Sequence, residues 1–86
     1  MYYEIRVNGN SLGIFGHPNI KNMHLSLQLV DGHSEIYASA VCQEGNDLYM
    51  ISWLQHPVRA EDVVEFERTS EGPVPTPINK YKMREA

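Results

Sequence analysis

From Met23 the chain runs Met-His-Leu-Ser-Leu-Gln-Leu-Val, with apolar side chains at 23, 25, 27 and 29 and polar ones between. A period of two sends alternate residues to opposite faces, so this stretch predicts a β-strand with one dry face and one wet face. Asp31-Gly32 follows it. Both central residues of a two-residue type I′ hairpin need positive φ, which this pair adopts readily. A turn centred there sets Leu27 opposite Ile36, Leu25 opposite Ala38 and Met23 opposite Ala40. A slip by one residue would turn Leu25 and Leu27 toward polar partners, so the pattern and the turn chemistry select the same register.

Two further reversals behave alike. Asn8-Gly9 predicts a hairpin pairing Ile5 with Leu12 and Tyr3 with Ile14. Gly45-Asn46 predicts one pairing Cys42 with Tyr49, Ala40 with Ile51 and Ala38 with Trp53. Small residues then lie beside large ones, as a close-packed layer requires. Strands are expected near 2–7, 11–15, 23–30, 35–42, 48–54 and 62–68. A helix over 34–44, capped by Ser34 and ended by Gly45, is the competing arrangement. Tyr37, Ser39 and Val41 are weak helix formers, however, and both neighbouring registers would be lost.

Gly13 marks a bulge or a close approach, His56-Pro57 ends the fifth strand, and Val64 and Phe66 face inward in the sixth. The run Pro73-Val74-Pro75-Thr76-Pro77 should be extended and stiff. The expected fold is therefore all-β: about six antiparallel strands in a small sandwich or partly open barrel, built from consecutive hairpins. A single β domain spans 1–72, followed by a Pro-rich and basic tail, 73–86, that carries Lys80, Lys82 and Arg84.

Composition agrees with strands, since four alanines stand against seven valines, six isoleucines and eight aromatic residues. A chain of 86 residues makes one small domain. The single cysteine, Cys42, excludes an internal disulfide framework and any cysteine-cluster metal site. Seven basic against eleven acidic residues leave a net charge of −4, which argues against nucleic acid as a partner. Leu48–Leu54, interrupted by Ser52, is too short an apolar run to cross a bilayer, so no membrane partner is expected. The start of the chain shows no basic segment followed by an apolar one, and a cytoplasmic location is expected.

The segment Trp53-Leu54-Gln55-His56-Pro57-Val58-Arg59-Ala60-Glu61-Asp62-Val63-Val64-Glu65-Phe66, together with the Val7-Asn8-Gly9 hairpin, resembles short uncharacterised bacterial β-proteins of mobile genetic elements. In these a tryptophan-ended strand leads through a proline and a short bend into a last strand. Glu61 stands where that pattern has glycine. The resemblance implies the fold and carries no chemistry.

No residue pattern points to catalysis, a metal or a cofactor. His17, His24, His33 and His56 fall at no metal-ligand spacing. On the outward face His24 lies opposite Ser39, and Ser39 opposite Ser52. A hydroxyl ladder on a wet sheet accounts for this row, because no carboxylate orients the imidazole.

One feature stands above that background. Tyr37, Val41, Met50 and Leu54 point away from the core around Ser39 and Ser52, and would expose on the order of 400 Å² of apolar surface. Either the tail folds back over this face or a partner covers it. The expected function is a non-enzymatic interaction module, a homodimer or the holder of a protein partner, with Tyr37, Val41, Met50, Leu54, Ser39 and Ser52 as its interface. The alternative is a small-ligand binder or enzyme whose cleft lies at a subunit boundary or near Trp53, Tyr49 and His56.

Overall fold

A computed structural model describes residues 1–83, and the backbone alone at Val30; residues 84–86, the end of the tail, lie outside the described residues. Seven strands occur among the described residues: β1 (Tyr2–Val7), β2 (Asn10–Gly16), β3 (Ile20–Val30), β4 (His33–Glu44), β5 (Asp47–Val58), β6 (Val64–Thr69) and β7 (Asn79–Lys82). They form two antiparallel sheets, a three-stranded one in the order β2-β1-β6 and a four-stranded one in the order β3-β4-β5-β7. The sheets are not closed into a barrel. Residues 34–44, for which a helix was the competing arrangement, lie in strand β4.

The turns sit where their residues require positive φ: Asn8 at 52°, Gly9 at 81°, Asp31 at 49° and Gly32 at 79°. From Asp31-Gly32 the β3–β4 register runs as the alternation predicts, with Leu27 against Ile36, Leu25 against Ala38 and Met23 against Ala40. The other two hairpins begin in their predicted register and then shift by one residue. In β1–β2 the shift falls between Ile5 and Arg6, so Ile5 faces Gly13 and Tyr3 faces Phe15 rather than Ile14. Gly13 takes φ 133°, a conformation that side chains disfavour, and the bulge swings Phe15 into the core. In β4–β5 the shift lies between Ala38 and Ser39: Ser39 still faces Ser52, but Ala38 faces Leu54 and Tyr37 faces Gln55.

The core comprises Ile5, Phe15, Ile36, Ala38, Ala40, Cys42, Ile51 and Trp53, drawn from both sheets. Alanines at 38 and 40 admit large neighbours such as Trp53, which is 5% exposed. β5 runs past Pro57 to Val58, because β7 pairs only with Tyr49–Ser52 and leaves that end of β5 an edge, where a missing N–H costs no ladder bond. Phe66 lies opposite Ile5, and hence on the inner face, yet stays exposed. As far as residue 83, the tail neither hangs free nor covers the outer face of the central hairpin. Val74 packs against the core, and Asn79–Lys82 adds to the edge of β5 as β7.

The sheets differ in length. Strands β3, β4 and β5 have 11, 12 and 12 residues, against 6, 7 and 6 for β1, β2 and β6. At about 3.3 Å per residue the long hairpins reach roughly 40 Å, matching the longest dimension of a 43 × 31 × 18 Å slab. The short sheet cannot cover the whole of that length. Leu27 and Leu29, inner-face residues near the β3–β4 turn, are 58% and 75% exposed, although Ile36, opposite Leu27, is fully buried.

Candidate functional site

Strand alternation fixes the outer face of the four-stranded sheet. On β4 it presents Tyr37, Ser39 and Val41, and on β5 Leu48, Met50 and Ser52, with Val41 opposite Met50 and Ser39 opposite Ser52. On β7 Tyr81 sits beside Met50 and Asn79 beside Ser52. His24 on β3 faces Ser39, completing the predicted row of His24, Ser39 and Ser52.

Of the six residues expected on this face, Leu54 is a correction. The extra residue, Trp53, turns Leu54 to the side of Ala38, and Leu54 packs against the core. The apolar patch accordingly shifts toward β7. Leu48 and Tyr81, both exposed, join the half-buried Val41 and Met50. Tyr37 sits at the other, polar end of the face. Its hydroxyl donates to Glu35 at 2.5 Å and accepts from Gln55 at 3.4 Å, while Gln55 also donates to Glu35 at 2.9 Å. The bond from Tyr37 holds the Glu35 carboxyl below its ordinary range, and the same contact holds the Tyr37 phenol above its own. Leu48 was legible as the next outward residue before Met50, whereas Tyr81 required knowing where the tail docks.

A second locus lies where the tail crosses the open end of the sandwich. A cleft of about 420 Å³ is lined by Tyr2, His17, Glu44, Trp53, Val74 and Lys80, among others. Lys80 donates to both oxygens of Glu44 at 2.9 and 3.0 Å, and His17 Nε2 lies 2.9 Å from Glu44 Oε2. His17 Nδ1 accepts the Asn19 backbone N–H at 3.0 Å. With Nδ1 as acceptor, Nε2 is the ring nitrogen that donates to Glu44. The bonds from Lys80 and then His17 depress the Glu44 carboxyl, and Glu44 in turn raises Lys80. Lys80 also lies 5.0 Å from the centre of the Tyr49 ring. Both ring nitrogens and both carboxylate oxygens are committed, so the trio works as a clamp on β7 and leaves no ring nitrogen free to act as a base.

The three residues expected near a ligand cleft do not converge. Trp53 lines this cleft, while Tyr49 packs at the edge of the core under Lys80, and His56 lies opposite Ile36 beyond the Trp53 bulge. Among the described residues no group of three His, Cys, Asp or Glu side chains could hold a metal ion. Among them, too, no helix is long and apolar enough to cross a membrane. Burial raises the Cys42 thiol above its ordinary value, as expected for a core cysteine on β4. In comparisons with protein-family models, curated proteins and solved structures, none matches this chain.

Proposed function

We propose that the protein is a non-enzymatic interaction module that self-associates through the outer face of its four-stranded sheet. The observation that carries this reading is the route of the tail. The one segment of the chain expected to cover that face runs instead along its edge as β7, and contributes Tyr81 to it. Val41, Leu48, Met50 and Tyr81 then form an apolar centre. Ser39, Ser52 and Asn79 supply hydrogen-bonding groups beside it, and Tyr37, Glu35 and Gln55 form a polar margin. An aromatic and a methionine at the centre with a polar rim is the usual anatomy of a protein interface. A second copy stacked face to face about a two-fold axis satisfies the burial requirement symmetrically.

Placing a carboxylate at the centre of the patch tests the reading. Met50→Glu should halve the particle mass measured by sedimentation equilibrium and leave the β-sheet circular dichroism spectrum unchanged. Met50 is half-buried on a sheet face and does not belong to the core, so the monomer tolerates the charge. A folded variant that keeps the wild-type mass refutes the assignment.

A further inference from the structure

β3 is an outer strand of the four-stranded sheet, and residues 22–30 of it contain no lysine, arginine, carboxylate or proline. Those are the residues by which sheet edges discourage pairing. The deterrents near β3, namely Pro18, Lys21 and the bulge between Ile20 and Asn22, all fall at or before its first turn of pleat. The other outer strands differ. β6 carries Glu65, Glu67 and Arg68, β7 is short and carries Lys80 and Lys82, and β2 is broken by the bulge opposite Ile5.

The backbone of β3 is correspondingly open. A two-residue turn makes its flanking residues, Val30 and His33, a hydrogen-bonded pair, and such pairs alternate along an antiparallel ladder. Even-numbered residues of β3 therefore bond to β4. Met23, Leu25, Leu27 and Leu29 aim their N–H and C=O groups at the free edge. Two of these four are the strongly exposed leucines of the overhanging tip. Along the same strand lies a cleft of about 470 Å³, lined by Met1, Tyr3, Ile20 and Lys21 to Met23, and by Leu25.

We infer that two copies of the chain join β3 to β3, antiparallel, about a two-fold axis at Ser26, making one continuous eight-stranded sheet. In that register Leu25 faces the partner's Leu27, and Met23 faces the partner's Leu29. The leucines that one copy exposes reach the cleft that Met23 and Leu25 line in the other. On the wet face Ser26 meets its own copy and His24 meets the partner's Gln28, all uncharged hydrogen-bonding groups. Nine residues, Asn22 to Val30, at about 3.4 Å each give roughly 30 Å of edge and on the order of 1,000 Å² of buried surface in total, the size of a weak, reversible contact.

This rests on the reading of the chain as an assembly module and adds a surface in the plane of the sheet to the one on its face. Hydrogen exchange of the full chain, followed amide by amide at about 10 μM and about 1 mM, tests it. Exchange of Met23, Leu25, Leu27 and Leu29 should slow at least tenfold at the higher concentration, while His24, Ser26 and Gln28, already bonded to β4, stay unchanged. Face-to-face stacking does not cover those four amides, so Met50→Glu should retain the effect. Its loss in that variant would overturn edge pairing as a separate contact. Replacing Leu27 and Leu29 together by lysine should abolish the concentration dependence in a protein that remains folded. Equal exchange of the four odd-numbered amides at both concentrations in the wild type overturns the inference outright.

Discussion

Asn8 holds a left-handed turn position, a task glycine could share, and a clamp that glycine could not. Its side-chain amide donates to Asp62 Oδ1 at 2.9 Å, and its side-chain oxygen accepts the Val63 N–H at 2.9 Å. Its backbone N–H donates to the Val63 carbonyl at 2.8 Å. The first hairpin turn is thereby fastened to the entry of β6. Asn8→Gly keeps the φ of 52° and removes only the side-chain bonds. The expected cost is about 1 kcal/mol, or a fall of roughly 4–8 °C in a thermal melt of a domain this size. An unchanged melting point would show the clamp to be inert. The turn was legible in the sequence because Asn-Gly is a local signal. The clamp was not, since its partner lies 54 residues away and nothing in the spacing announces it. Asp62 behaves the same way: the Arg59 backbone N–H, and then Asn8, hold its carboxyl low, yet the sequence around it reads only as a bend.

Elements repeat that division between local and distant causes. The alternation of β3 and β4 and the Asp31-Gly32 turn are short-range features, and the register they predict is the one formed. The bulges at Gly13 and Trp53 have a different origin. The first re-aims β2 so that Phe15 meets the opposite sheet, and the second, at the already inward Trp53, turns Leu54 inward beside it, a packing requirement that appears only once both sheets exist. Leu54 changed face for this reason. The docking of β7 is likewise tertiary: the Pro-rich run signals stiffness, but the clamp residues His17, Glu44 and Lys80 are separated by 27 and 36 positions. That clamp makes β7 sensitive to acid. Glu44 is depressed below its ordinary 4.5, so its contribution is complete above about that pH and is lost as pH falls through the lower folded value. Lys80 is raised above 10.5, so its contribution is complete below that and is lost only at higher pH. Between those limits β7 should stay docked. Below pH 4.5 the amides of Ile78, Tyr81 and Met83, which bond to β5, should lose exchange protection before those of β4, and Glu44→Gln should weaken their protection at neutral pH and blunt the acid transition. Loss of protection in β7 and β4 together would mean that the strand has no separate clamp.

Two sheets of unequal length set the character of the whole molecule. A radius of gyration of 13.5 Å exceeds the roughly 12 Å of a compact chain of this size, in keeping with a flat slab whose long hairpins overhang the short sheet. The open end near the Gly45-Asn46 turn is closed from within: residues 71–77 cross beside Trp53, Val74 enters the core, and β7 adds to β5. At the Asp31-Gly32 end the inner-face leucines 27 and 29 stay exposed. The tail therefore belongs to the stability of the fold, and it leaves the β3 tip and the outer face uncovered. Deleting residues 73–86 tests that role. The deletion strips Val74 from the core, opens the wall of the Trp53 cleft and removes the Lys80–Glu44 clamp. It should cost at least about 2 kcal/mol, the scale of exposing one aliphatic side chain, and shift Trp53 fluorescence to the red. The β3 edge is untouched by the deletion, so its concentration-dependent amide protection should survive wherever the shortened chain is still folded. A shortened chain with wild-type stability and unshifted fluorescence would mean that residues 71–77 do not rest on Trp53.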